Sequence, residues 1–235
     1  FSDNLNNIKS NLWNKIKINF KYKDPRRLAK IFKLFPHYLF PKYKYSLWID
    51  GNIQVTDKIN NLVDNYLINK YEYILFLKHQ NRSCIYKEAE YNISVGNCNK
   101  NSVLTQMKKY LSYDYPKNNG LICGRFILRK HNDSDCIKLM ESWWNEIELH
   151  SARDQLSFNY ACWSNDANYV GLSIDNHDNE YYKFHPHPKI YFYDKNGMQK
   201  ISIRLIKTNI LHKITSSNIY RNYFKKLYYH FKYHK

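Results

Sequence analysis

Tyr45-Ser46-Leu47-Trp48-Ile49, followed by Asp50-Gly51-Asn52, is the stretch whose reading decides the fold. An apolar, β-favouring run closed by an Asp-Gly turn signal is a short buried strand that delivers an acid to a loop tip. On its C-terminal side, residues 57–70 put Ile59, Leu62, Val63 and Leu67 on one helical face, and residues 73–77 form a second apolar run ending at Lys78-His79. On its N-terminal side, Asp24-Pro25 is a helix start, with an Asp cap and Pro at the first helical position. Leu28, Ile31, Phe32 and Phe35 then recur at helical spacing until Pro36 stops or bends the helix. Further along, residues 100–113 read as an amphipathic helix, 121–128 as a strand, and 135–149 as a helix carrying Trp143 and Trp144. Another helix starts near Ala152, and residues 170–174 suit a short strand. Phe1-Ser2-Asp3-Asn4 reads as the end of a strand lying mostly ahead of the first residue.

Strands alternating with helices predict an α/β fold: an open, mostly parallel sheet flanked by helices. Ligands of such sheets sit beyond the carboxyl ends of the strands. Asp50, Asn52, Lys78 and His79 all fall at such ends. The chain changes character near residue 190, where a strand pair around Asn196-Gly197 is expected. Residues 218–235 then interleave Ile219, Tyr223, Leu227 and Phe231 with Arg221, Lys225, Lys232 and Lys235, a basic aromatic helix suited to an anionic membrane surface.

Composition bounds the function. Hydrophobic residues make up 43% of the 235, enough for a packed core and too many for a disordered chain. The net charge of +17 favours anionic partners. Part of it is compositional, because lysine far outnumbers the eight arginines and Asn, Ile and Tyr are also abundant, the profile of an AT-rich coding sequence. Cys84, Cys98, Cys123, Cys136 and Cys162 form no Cys-x-x-Cys pair, which speaks for free thiols rather than a disulfide framework or a zinc knuckle. No apolar stretch approaches the ~20 residues of a membrane-spanning helix.

Each polar cluster has an ordinary and a chemical reading. Asp50 and Asn52 would offer oxygen ligands to a hard divalent cation, but on spacing alone an Asp-Gly turn is favoured. Asp154, within Arg153-Asp154-Gln155, opens an apolar helical stretch; alone it reads as a helix cap, while facing a sugar it would act as a base or as a charge stabiliser. Lys78-His79-Gln80-Asn81-Arg82, with Glu88 behind, is either a solvated loop or a set of phosphate-binding donors. His185-Pro186-His187-Pro188 is a loop with too few ligands for a zinc site of its own.

In combination these blocks are more specific. Asp24-Pro25-Arg26-Arg27-Leu28-Ala29-Lys30, Lys33-Leu34-Phe35-Pro36-His37 and Ser46-Leu47-Trp48-Ile49-Asp50-Gly51-Asn52-Ile53 resemble the glycosyltransferase-like family shared by plant seed-mucilage proteins and bacterial surface-polysaccharide enzymes. Lys78-His79 with Arg82-Ser83-Cys84-Ile85-Tyr86-Lys87-Glu88-Ala89 is similar to its second block, and Arg153-Asp154-Gln155-Leu156-Ser157-Phe158 to its third. The resemblance implies a GT-A type nucleotide-binding fold over residues 1–190, with 191–235 as a C-terminal extension. It implies that Asp50-Gly51-Asn52 stands in the Asp-x-Asp position, with Mn²⁺ or Mg²⁺ held by Asp50, Asn52 and a late histidine, His185 or His187. It implies donor contacts from Arg26, Arg27, Lys30, Asp50, Gly51, Asn52, Lys78, His79, Arg82 and Glu88. Catalytic roles would fall to Asp154, Arg153 and Gln155.

The expected activity is transfer of a sugar from a nucleotide-sugar donor to a glycan or lipid-linked acceptor, in surface polysaccharide synthesis such as that of capsule or lipopolysaccharide. The expected place is the cytoplasm, at the inner face of the membrane. Two other readings remain at this point. The charge and 23 tyrosines suit a nucleic-acid binder, although the basic residues are dispersed and no nucleic-acid motif occurs, so no nucleic acid is expected. Asn52 keeps open a catalytically inactive sugar-binding domain.

Overall fold

The computed structural model describes residues 14, 16–18, 22 and 24–186, together with the backbone of 192–193 and 199–200. The strand end expected at Phe1–Asn4, His187 and the basic aromatic tail at 218–235 lie outside the described residues.

The first helix starts as its sequence dictates. α1 (Pro25–Leu34) has Pro25 at its first position, and the Asp24 carboxylate accepts the Arg26 amide at 2.9 Å. Pro36 ends it and opens the single turn of α2 (Pro36–Leu39). Then come β1 (Ser46–Ile49), β2 (Ile53–Val55), and α3 (Ile59–Leu62), which runs into a π-helical segment, Val63–Ile68. β3 (Ile74–Lys78), α4 (Ile85–Ser94), α5 (Lys100–Ser112), β4 (Ile122–Arg129) and α6 (Ser134–Leu149) follow. A 3₁₀ turn (Asp154–Leu156), α7 (Phe158–Ser164), β5 (Val170–Leu172) and β6 (Tyr182–Phe184) complete the main body. β7 (Phe192–Tyr193) and β8 (Gln199–Lys200) pair antiparallel on either side of Asn196-Gly197, as the turn signal predicts.

The central sheet has the order β1-β4-β3-β5. Here the sequence expectation needs correcting: the sheet is not mostly parallel. β4 is antiparallel to both β1 and β3, and only β3 and β5 run parallel. The reason lies in the α4–α5 excursion. Two successive helices bring the chain back to the end of β3 from which it left, pairing Ile122 with Lys78, and the His79 amide donates to Leu121 O at 2.8 Å. A strand that starts beside its predecessor's end must run the other way. A small second sheet pairs β2 with β6.

Both faces of the sheet are covered. α1, α6 and α7 pack Ile31, Leu34, Trp143, Ile147 and Phe158 onto Phe76 and Ile127. Leu62, Leu67 and Tyr182 cover the opposite face at Leu75, Leu77 and Phe126. α4 and α5 build a third cluster with Leu121, Leu156 and Tyr160. The fold therefore gathers one working edge. Asp50, Lys78-His79 and the residues after Leu172 leave the carboxyl ends of β1, β3 and β5, and β4 begins beside them.

Candidate active site

The tip at Asp50 is a hydrogen-bonded turn. The Asp50 amide donates to Arg125 O and the Ile53 amide to Asp50 O, both at 3.0 Å, and the Trp48 indole donates to Asp50 Oδ1 at 3.1 Å. The turn reading of Asp-Gly is thus met in the backbone, while the second carboxylate oxygen of Asp50 stays at the sheet edge. β2–β6 pairing brings His185 alongside: its amide donates to Asn52 O at 2.8 Å, and its imidazole pairs with the Gln54 amide oxygen at 3.0 Å. Gly51 has no left-handed φ, and a Cβ built there would meet nothing within 4 Å. The backbone does not require glycine at this tip.

Asp154 sits against Gly124 of β4. Its residue is only 6% exposed, and one oxygen, Oδ2, accepts both Lys30 Nζ at 2.8 Å and Lys33 Nζ at 2.5 Å. Lys33, 1% exposed, also donates to Gly124 O in β4. Trp143 holds the Asp154 carbonyl at 3.0 Å. The carboxylate is not at the N-cap of the 3₁₀ turn or of α7, positions held by Arg153 and Ser157, but its other oxygen accepts the Gln155 amide at 3.2 Å inside the turn. Burial pushes the Asp154 carboxyl up, but the two ammonium groups overcome it and hold the acid well below the usual carboxylate range. Burial pushes the Lys33 ammonium down, against the pull of Asp154 and of Asp50. The Trp48 ring, whose indole donates to Asp50, lies 5.8 Å from Lys33 Nζ, so one side chain links the Asp50 turn to the buried lysine. A general base works best with a pKa near the operating pH. Asp154 is too acidic and too enclosed for that task, and its geometry suits a charge stabiliser that orients lysines.

The other expected residues are placed differently. Arg27 is tied to Asp24 at 2.6 Å and to the carbonyls of Ile147 and His150, so it closes the C-terminus of α6. Arg82 and Glu88 form an ion pair at 2.5 Å, and His79 Nδ1 accepts the amides of Asn81 and Arg82. Burial, assisted by Arg82 and Arg125 against Glu88, lowers the His79 imidazole, which leaves a neutral ring clamping its own loop. Lys78 lays its stem across Gly171. Gln155 donates to Ile122 O at the sheet edge and accepts from Arg153. Arg26 and Arg153 line a separate cleft with Cys98 and Ser102.

Sequence reasoning passed over Lys33, Gly124 and Arg125 as site residues. Lys33 carried a signal, being a lysine set between Phe32 and Leu34-Phe35 on the buried face of α1. So did Gly124, because a glycine inside an apolar strand marks a close approach. A Cβ there would come within 3.1 Å of Lys33 Nζ and 3.2 Å of Asp154 Oδ2. Arg125, whose guanidinium lies 4.4 Å from the Phe184 ring and donates to Asn176 O, had no sequence signal.

The cation implied by an Asp-x-Asp motif fits only in part. Among the described residues no three His, Cys, Asp or Glu side chains are grouped to hold a metal. Asp50 and Asn52 are the residues that would hold a Mg²⁺ or Mn²⁺ shared with substrate phosphates and water, while the His185 imidazole is paired with Gln54.

The profile of the TOD1/MUCI70, glycosyltransferase-like domain matches residues 3–187, and the chain belongs to that family. It is similar to the "Probable hexosyltransferase MUCI70" of Arabidopsis thaliana, 30% identical over 171 residues, which is 65% of this chain and 28% of that protein. The chain thus spans under a third of the length of that relative. No solved structure matches. Among the described residues no helix is long and apolar enough to cross a membrane.

Proposed function

We propose that this chain transfers a hexose from a nucleotide-sugar donor to a glycan or lipid-linked acceptor in the synthesis of a surface polysaccharide, working in the cytoplasm at the inner face of the membrane. The observation that carries the reading is the buried acid–lysine knot against β4, the Asp154 carboxylate shared by Lys30 and Lys33, with Trp48 linking Lys33 to the Asp50 turn at the carboxyl edge of the sheet. The donor diphosphate lies across the Asp50-Gly51-Asn52 tip, where the missing Cβ of Gly51 leaves room for phosphoryl oxygens. A divalent cation at Asp50 and Asn52 supplies charge neutralisation of the diphosphate leaving group. Lys30, the more exposed lysine of the knot, presents its ammonium to the leaving group, and Asp154 fixes its position. Charge placed in advance where charge develops is the largest contribution most such sites make. The relative's name, a probable hexosyltransferase, supports the same reaction class.

The test is a donor screen on the full-length protein. UDP- and GDP-hexoses are supplied with candidate acceptors, nucleoside diphosphate release is followed, and the product linkage is read by NMR. Release dependent on acceptor and on a divalent cation is the expected result. Absence of release from every donor, with the protein folded, contradicts the proposal.

A further inference from the structure

A second polar cleft lies apart from the Asp50 tip, where the N-terminus of α1, the start of α5 and the loop after α6 meet. Arg26, Arg27, Arg153, Cys98, Asn99 and Ser102 are in its wall. The carboxylate that lines it, Asp24, is already taken: it caps α1 and pairs with Arg27 at 2.6 Å. Arg26 is left half-exposed, with a 3.3 Å contact to Asn97 O and a loose 3.9 Å approach to Asp24. Arg153 gives one amino group to Gln155, but its buried Nε has no hydrogen-bond partner among the described residues. Cys98 lines the same cleft as the two guanidinium groups: burial raises its thiol, and Arg153 and Arg26 oppose the rise. α5 opens into the same cleft, with Asn99 accepting the Ser102 amide and no acid in the first turn.

The arginines therefore exceed the acids in this cleft, and a guanidinium N–H is buried without an acceptor. Arginine's fork of donors matches the oxygens of phosphate and carboxylate. We infer that the cleft between Arg26, Arg153 and Ser102 is an anion subsite for a phosphoryl or carboxylate group of a substrate. The anion accepts from Arg26 and Arg153 and sits over the first turn of α5, where the helix dipole favours negative charge. Since the proposed function places the donor diphosphate at the Asp50 tip, the source of this anion is either the phosphate of a lipid-linked acceptor or a charged substituent on a glycan acceptor.

Pyrophosphate binding to the full chain, measured by calorimetry in EDTA at low salt, tests this, because EDTA removes any cation-mediated binding at the Asp50 tip. Arg26→Gln and Ser102→Asp should each weaken binding at least tenfold. Ser102→Asp puts a negative charge in the cleft at a helix position that welcomes one, so its melting temperature should not fall. The Arg153 Nε–H resonance should shift on titration. Asp50→Ala should bind pyrophosphate as the parent does, which separates this test from the donor proposal at the tip. No binding by the parent, unchanged binding in both cleft variants, or loss of binding in Asp50→Ala would overturn the assignment. In turnover, a higher KM for a lipid-phosphate acceptor in Ser102→Asp identifies the lipid phosphate as the source. A higher KM only for a charged glycan acceptor identifies the glycan substituent, and no change in either KM rejects a substrate subsite.

Discussion

Two acids stand beside neighbouring residues of β4, Asp50 at Arg125 and Asp154 at Gly124, and the fold treats them in opposite ways. Asp154 is enclosed, shares one oxygen between two lysines and is clamped through its carbonyl by Trp143. Asp50 ends an edge strand, is held by turn hydrogen bonds and one indole contact, and is followed by a glycine that touches nothing. Substitution at Asp154 must disturb folding, because it strands a buried ammonium. Substitution at Asp50 leaves the packed core untouched. Loss of activity is therefore informative about chemistry at Asp50 and ambiguous at Asp154.

The contrast is broken most severely at the knot. Removing one partner of a buried ion pair costs about 3–5 kcal/mol. Asp154→Asn should lose stability on that scale in urea unfolding, with Lys33→Met beside it restoring much of the loss. Recovery only of stability, with activity still low, would separate the structural task of the pair from its electrostatic one. An Asp154→Asn protein as stable as the parent would remove the knot from the account.

At the tip the signs invert. Gly51→Ala places its Cβ in open space at an ordinary φ, so its melting temperature should match the parent or rise slightly. If the diphosphate crosses this tip, the same methyl lowers kcat/KM about tenfold, which is ~1.4 kcal/mol of transition-state stabilisation. Full activity in Gly51→Ala would place the donor elsewhere.

A smaller effect is expected from acid. His37 is buried, and neither ring nitrogen has a hydrogen-bond partner among the described residues. Burial, with Arg129 and His131 nearby, lowers its imidazole to about 4. A histidine lowered in the folded state binds its proton more readily when unfolded. Its contribution to stability is complete above the unfolded value of about 6.5 and is lost as pH falls toward 4. His37→Gln should flatten this part of the stability–pH curve, measured by urea unfolding between pH 7 and 4. An unchanged slope would show that His37 is not the group responsible.

Sequence carried the local structure well where local signals were strong. Asp24-Pro25 set the start of α1, and apolar periodicity located α5 and α6. α4 escaped because Cys84 is an unusual cap and Glu88 and Asn92 interrupt its buried face of Ile85 and Ala89. Strand direction escaped because it depends on where the α4–α5 excursion returns, a long-range fact that no local period encodes. Asp50 was legible because it ends a strand. The partner of Asp154 was not, because Lys33 meets it across 121 residues of chain.

The most direct measurement compares the parent and Asp50→Ala on the same samples, with nucleoside diphosphate release from the active donor and urea unfolding read together. The account predicts a loss of turnover of at least a hundredfold, about 2.7 kcal/mol or more, with unfolding free energy unchanged to within about 0.5 kcal/mol. Release at the parental rate from a folded Asp50→Ala protein would contradict it.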